Sequence, residues 1–351
     1  MDENFIRLYT SNSSPDYVYL LNNGKVFLYD SAMDKYAING QNLIIGSTEV
    51  IMNKLINYET PRVETAIASG GSVIKKIPAD KFISGLNTFS FIMNTSVVLA
   101  KQVLLTNRIL NKNIGVLQGK DKLLNELSIK YYKAVFKLNQ EYEKRKLPWL
   151  ADISKKHFNS INYKKGEAFH RSQDSITLEG SHQLSDKMVE YPRGSIICKE
   201  NTEGEEMYIL ESGSIDVEIS GNVVATIEKK GSVIGEMALL LNEKRTATLK
   251  SKNNVVITII KKKELKEICE RQTDFMKSVA ISLAQKHYYN AVKISAVSKS
   301  LVDHHFNNET DDKTVTQIER FQESLGKLKN EVDDLIYKKK AEFLKPVIEE
   351  L

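Results

Sequence analysis

The stretch GSVIGEMALLLNEKRTATLK, residues 231–250, decides the fold. It opens on strand-forming residues, turns at Gly235, crosses the apolar run MALLL and returns through Arg245 among small residues. A glycine at a strand end lets the backbone turn sharply and approach a ligand closely. The N–H groups of the following short helix are then open to an anion. Glu236 only accepts hydrogen bonds when ionised, which suits hydroxyl donors and not phosphate oxygens. Arg245 carries a planar fork that holds a phosphodiester through two bonds and stays charged when partly buried. Thr246, Ala247 and Thr248 leave room beside it, and the hydroxyls can add bonds to the ligand.

The same frame occurs earlier in the chain. DYVYLLNNGKVFLY (16–29) runs parallel to EEMYILESGSIDVE (205–218), with Tyr19 against Tyr208 and Gly24 against Gly213. From Gly24 to Gly46 is 22 residues, as it is from Gly213 to Gly235. Gly46 to Arg62 is 16 residues and Gly235 to Arg245 is 10, so the first copy carries a six-residue insertion. Beyond the arginines, SFIMNTSVVLAKQ (90–102) runs parallel to DFMKSVAISLAQK (274–286). Short β-branched and aromatic runs with glycine turns predict small antiparallel barrels or jelly rolls. Residues 107–147 and 263–301 read as helices from apolar spacing at three and four. The expected fold is α+β: two such barrels, each followed by helices, and a C-terminal helix.

A carboxylate for a ribose and one arginine for one phosphate charge together describe a cyclic nucleotide. On these residues 187–285 resembles the cyclic-nucleotide-binding domain family of catabolite activators, kinase regulatory subunits and gated channels. The phosphate-binding cassette of that family stands here as Gly235, Glu236, Ala238, Leu239, Arg245, Thr246, Ala247 and Thr248, with Lys244 where proline is common. The resemblance implies that Glu236 takes the ribose 2′-hydroxyl. It implies that Arg245 and the N–H groups near Gly235 and Met237 take the cyclic phosphate. A base contact is expected from the following helix, where His287, Tyr288 and Tyr289 are the choices, although aromatic residues there more often serve packing. The ligand is cAMP or cGMP, with a lean to cAMP, and no cofactor beyond it is expected. The first copy is degenerate: Ser47 stands at the Glu236 position and Glu64 at that of Ala247. A carboxylate two residues from Arg62 neutralises it or repels phosphate, while Glu49 is the alternative ribose acceptor. No nucleotide is expected there.

The 351 residues suffice for two or three domains. A hydrophobic fraction of 41%, a charged fraction of 27% and a net charge of +5 fit a globular chain and do not single out nucleic acid. Cys198 and Cys269 make no disulfide framework, and with no signal peptide visible the expected location is cytoplasmic. Residues 82–100 are uncharged but interrupted by polar residues, and Phe82, Leu86, Phe89, Met93, Val97 and Leu104 form a stripe. A buried amphipathic helix is expected there and no membrane insertion. Ile318, Phe321, Leu325, Leu328, Val332 and Leu335 follow heptad spacing over about three heptads. Either a coiled coil giving a homodimer or a helix folded back on its own domain fits them.

Expected divisions are 1–105 for the degenerate copy, 106–165 for a helical connector, 166–300 for the binding domain and 301–351 for the last helix. After Ser300 no second short helix with a tight turn follows, so no DNA binding is expected. No nucleophile elbow, Walker loop or kinase lysine set is present, and the His304–His305 pair points apart on a helix. A non-enzyme without a metal is the expectation. The chain then reads as a regulatory or adaptor protein relaying nucleotide binding through helices 263–300 to a protein effector. The alternative is a ligand-free oligomerising scaffold.

Overall fold

The computed structural model describes residues 5–116, 119–158, 160–171, 176–177, 188–306 and 310–351; His182 lies outside them. The chain divides into two compact units, 1–108 with 175–291, and 109–174 with 292–351.

The first unit holds both copies of the repeated frame. Its first copy comprises β1 (Ile6–Tyr9), β2 (Tyr17–Tyr29), β3 (Lys35–Ile45), α1 (Ser47–Leu55), β4 (Thr65–Ala68), β5 (Val73–Pro78), α2 (Ala79–Gly85) and α3 (Phe89–Val116). The strands form one antiparallel sheet in the order β1-β4-β2-β3, with β5 on the other part of β2. After α4 (Lys120–Arg145), α5 (Pro148–Phe158) and α6 (Ile161–Arg171), the second copy begins. It runs through β6 (Ile176–Thr177), β7 (Met188–Tyr191), β8 (Ile196–Cys198), β9 (Glu206–Ser212), β10 (Ile215–Ile219), β11 (Asn222–Ile227) and β12 (Ser232–Ile234). It ends with α7 (Glu236–Leu241), β13 (Thr248–Ser251), β14 (Val255–Lys261), α8 (Leu265–Arg271) and α9 (Thr273–Phe306). Its sheets have the orders β11-β10-β13-β8 and β6-β12-β9-β14-β7.

The two copies share a register. Tyr19 pairs with Ile45 as Tyr208 pairs with Ile234. Val26 pairs with Ile38 and Ala68, as Ile215 pairs with Ile227 and Ser251. A one-residue slip would turn every side chain to the opposite face, so equal register means equivalent positions face equivalent space.

One apolar core unites the copies. Ile44, Val50, Phe82, Leu99 and Val103 pack in the same cluster as Met207, Leu239, Ile260, Phe275 and Leu283. Each such side chain contributes roughly 1.5–3 kcal/mol on burial. A second cluster of Tyr208, Leu210, Ile215, Ile227, Ile234, Leu249, Val255 and Ile257 fills the second barrel. The uncharged stretch 82–100 is not one continuous helix: it breaks between α2 and α3. α3 is long and apolar enough to cross a bilayer by length and composition alone. Its Ile92, Leu99, Ala100 and Val103 lie in the protein core, while Phe89, Met93 and Val97 of the expected stripe are only partly buried against it.

The second unit is helical. It contains α10 (Thr310–Lys339) and α11 (Lys345–Ile348). Phe321, Leu325, Leu328 and Val332 of α10 are buried with Tyr131, Val135 and Leu138 of α4 and with Leu150 and Ile153 of α5. The heptad stripe is therefore spent inside its own unit, with the Phe321 ring edge-on to Tyr131.

Candidate functional site

Gly235 adopts φ +81° and caps α7, and a Cβ there would stand 2.3 Å from Nη1 of Arg245. The buried strand β12 delivers this glycine, and Ala238, Leu239 and Leu240 hold α7 down by its apolar side. The return segment is pinned by Arg245 N–H donating to Thr202 O and Asn201 N–H donating to Arg245 O, both at 2.8 Å. The close packing of Gly204 on Ala238 leaves no space for a side chain at 204.

Arg245 is buried, at 5% exposure for the residue. Nη1 donates to Gly235 O at 3.0 Å, and Nη2 donates to Glu206 O at 2.6 Å and to the Tyr208 hydroxyl at 3.3 Å. Its Nε–H is buried and has no acceptor. Among the described residues no carboxylate forms an ion pair with it, so the charge is held by backbone carbonyls and a phenol. The buried Glu236 lies near it without pairing. Burial raises the Glu236 carboxyl above its ordinary value, opposed by Lys286, its own N–H and Arg245.

These groups face a cavity of about 290 Å³. Gly235, Glu236, Met237, Ala238, Arg245, Thr246 and Ala247, the residues expected from the sequence, all line it. Cys198, Val217, Ala225, Ile227 and Leu249 add an apolar wall from the barrel, and Lys286 comes from α9. Leu104 and Asn107 of α3, the helix of the first copy, also line it. Tyr288 and Tyr289 are not among the lining residues. Tyr288 instead stands edge-on to Tyr58 at 5.6 Å and accepts a hydrogen bond from Thr60 Oγ1 at 3.2 Å; Tyr289 is buried. The helix that reaches the mouth is fixed by tertiary packing, and no local signal marks Leu104 or Asn107. Lys286 had a signal, since it aligns with the neutral Gln102.

The first copy builds the same frame and fills it. Gly46 has φ +79°, Arg62 Nη1 donates to Gly46 O at 2.5 Å, and Nη2 donates to Tyr17 O, the position equivalent to Glu206. The Arg62 Nε–H, like that of Arg245, is buried without an acceptor. Here, however, Nη1 also pairs with Glu49 Oε2 at 2.8 Å, both side chains being 1% exposed. Glu49 Oε1 accepts from Val63 N–H at 3.0 Å. The neutralising carboxylate is thus Glu49 and not Glu64, and Glu49 is committed to protein donors. Glu49 stands three residues past Gly46, where the second copy has Ala238, and its place on the first turn of α1 brings the carboxylate to Arg62.

Register equates Tyr9, Tyr36 and Glu64 with Cys198, Ala225 and Ala247, three residues of the open cavity wall. Glu64 accepts hydrogen bonds from Tyr9 at 2.9 Å, Tyr36 at 2.7 Å and Gln102 at 3.1 Å. His287 from α9 joins them, with Nε2 3.0 Å from the Tyr36 hydroxyl and Nδ1 2.8 Å from Thr48 Oγ1. Large side chains occupy what small ones leave open in the second copy.

A family model for the cyclic nucleotide-binding domain matches residues 188–272. A cAMP-dependent protein kinase regulatory subunit of Debaryomyces hansenii is 35% identical over 106 residues, 30% of this chain and 24% of that protein. A cGMP-dependent protein kinase of Drosophila melanogaster is 32% identical over 101 residues, 26% of this chain and 9% of that protein. Among solved structures, cAMP-bound PfPKA-R (141-441) aligns over 79% of this chain and 78% of its own, with 17% identity and a TM-score of 0.26. The alignments span about a quarter or less of these curated relatives. Residues 188–272, the body of the second copy, are thus similar to the cyclic nucleotide-binding domain, and the first of these relatives is a kinase regulatory subunit.

Proposed function

We propose that the second copy binds one cyclic nucleotide, cAMP in preference to cGMP, and that this chain acts as a regulatory protein without catalysis of its own. The observation that carries this reading is the buried Arg245, with no carboxylate partner among the described residues, on the wall of a cavity of about 290 Å³. A buried cation without a counter-charge is costly, and a phosphate supplies one. Glu236 takes the ribose hydroxyl, Arg245 and the N–H groups of Met237 and Ala238 take the phosphate, and the apolar wall with Leu104 takes the base. The lean to cAMP is supported by the name of the 35% identical relative.

The proposed output is a population shift, in which the nucleotide stabilises the conformation it binds better. Lys286 ties α9 to the cavity, so residues 263–300 re-dock and change the surface offered to a protein effector.

The test is a thermal-shift screen of cAMP, cGMP and cyclic dinucleotides, because a ligand that binds only the native state raises its apparent stability. cAMP is expected to raise the midpoint, and Arg245→Ala to weaken binding by about tenfold or more, the equivalent of a charged hydrogen bond. No shift with any cyclic nucleotide defeats the reading and leaves a ligand-free scaffold.

A further inference from the structure

The filled pocket of the first copy contains an imbalance of charge. Asp30, Glu49 and Glu64 are all buried there, at 4%, 0% and 1% exposure. Arg62 pairs with Glu49, which leaves the carboxylates of Asp30 and Glu64 without a cation among the described residues. Glu64 at least accepts three hydrogen bonds. Both oxygens of Asp30 are buried with no donor, and so is Oε1 of Gln102 in the same cluster. An isolated buried carboxylate is among the most costly groups a fold can hold, and such groups are neutralised, paired or bound to metal.

His287 lies opposite. Its Nε2 is 3.6 Å from Glu64 Oε2, and one ligating atom from each of Asp30, Glu64 and His287 lies within 4.8 Å of the other two. An ion at the centre of such a triangle stands within roughly 2.8 Å of each atom, so a contraction of about 0.6–0.8 Å reaches Zn–N and Zn–O bond lengths. The Tyr36 hydroxyl, 2.7 Å from Glu64 Oε2 and 3.0 Å from His287 Nε2, stands where a fourth ligand belongs. Nδ1 of His287 meets Thr48 Oγ1 at 2.8 Å; without metal Tyr36 spends its proton on Glu64 and Nε2–H donates to Tyr36, and ligation takes the other tautomer, with Nδ1–H donating to Thr48 and the Nε2 lone pair on the ion. Burial keeps this imidazole neutral, holding its pKa down at about 4.

We propose that Asp30, Glu64 and His287 form a binding site for a divalent cation of the Zn²⁺ type in the pocket the first copy no longer uses for nucleotide. Two uncompensated carboxylates match the charge of one such ion, and a mixed nitrogen–oxygen set suits Zn²⁺. The ligands lie 34 and 223 residues apart, which is why no spacing motif announces them. The competing occupant is a proton: burial first, then Asp34 and Glu49, push the Asp30 carboxyl up to about 7.

The proposal is independent of nucleotide binding, and its test needs no nucleotide. The full chain is stripped with a chelator and titrated with ZnCl2 by calorimetry and thermal shift, beside Asp30→Asn and His287→Gln. One high-affinity Zn²⁺ per wild-type chain and a raised melting midpoint are expected. Each variant should lose affinity by about 100-fold, while metal-free Asp30→Asn melts at or above the metal-free wild type. Absence of Zn²⁺ binding, or equal binding by wild type and both variants as surface histidines would give, overturns the proposal. A metal-insensitive wild type that Asp30→Asn stabilises identifies the proton as the occupant and overturns it equally. If one variant fails to fold, the other decides.

Discussion

Two arginines in one frame show how single residues separate an open pocket from a filled one. Arg62 and Arg245 make the same bond to the glycine carbonyl and the same reach to the strand before it. Only Arg62 has a carboxylate at 2.8 Å. Their substitutions should therefore differ. Arg62→Ala strands Glu49 as a buried unpaired charge and should cost about 3–5 kcal/mol in denaturant unfolding. Arg245→Ala without ligand removes hydrogen bonds and the contact with the Tyr208 ring but strands no paired carboxylate, and should cost about 1–3 kcal/mol. Equal losses would mean that the Glu49 pair contributes nothing distinctive. Much of this was legible: Gly235, Glu236 and Arg245 declare themselves by spacing, and Glu64 for Ala247 signals a blocked copy. The sequence pointed to the wrong carboxylate because Glu64 is near Arg62 in the chain, whereas Glu49, on the first turn of α1 at the Ala238 position, is brought to Arg62 by the way the helix packs beside it. Tyr9 and Tyr36 as pocket fillers emerge only when strand register equates them with Cys198 and Ala225.

At the scale of elements, the turn from β12 into α7 is the part least tolerant of change. Gly235 and Gly221 both have φ +81°, but a Cβ at 221 meets open space while one at 235 meets Arg245. Both alanine substitutions should carry the strain of a left-handed residue, about 1–3 kcal/mol. Only Gly235→Ala should also weaken nucleotide binding, as read by titration; equal binding in the two variants would show that Arg245 is not held by the turn. In the helical unit, His157 links the Tyr131 hydroxyl and Glu331 Oε2, each at 2.8 Å, and Lys156 also bonds Glu331. Burial pushes the Glu331 carboxyl up, but the bonds from Lys156 and His157 outweigh it and hold the carboxyl below its ordinary 4.5. A lowered carboxylate contributes stability above its unfolded value and loses it as pH falls through the folded one. Glu331→Gln should accordingly cost about 1 kcal/mol at pH 7, with the difference shrinking in melts against pH as the pH falls below the ordinary carboxylate value. A difference constant with pH would contradict this. The heptad stripe of α10 illustrates what periodicity leaves open: spacing defines an apolar face, and whether that face meets α4 or a second chain is decided by what else is available to cover it.

Across the whole molecule, the division of labour between the copies rests on helices that follow them. α3 of the first copy brings Leu104 and Asn107 to the open cavity, and α9 of the second brings Lys286 to that cavity and the adjacent His287 to the filled pocket. This exchange was not legible from either copy alone: a base contact was expected from the helix after the second barrel, and nothing in the sequence placed α3 at that cavity. If α9 carries the signal, hydrogen exchange in residues 263–300 should slow with cAMP in the wild type and not in Arg245→Ala. Unchanged exchange in the wild type at saturating cAMP would remove α9 as the relay. The central claim, one competent and one closed pocket per chain, is tested most directly by calorimetric titration of the full chain with cAMP. The account predicts one site per chain, weakened by about tenfold or more in Arg245→Ala. Two sites per chain, or one site whose affinity Arg245→Ala leaves unchanged, would contradict it.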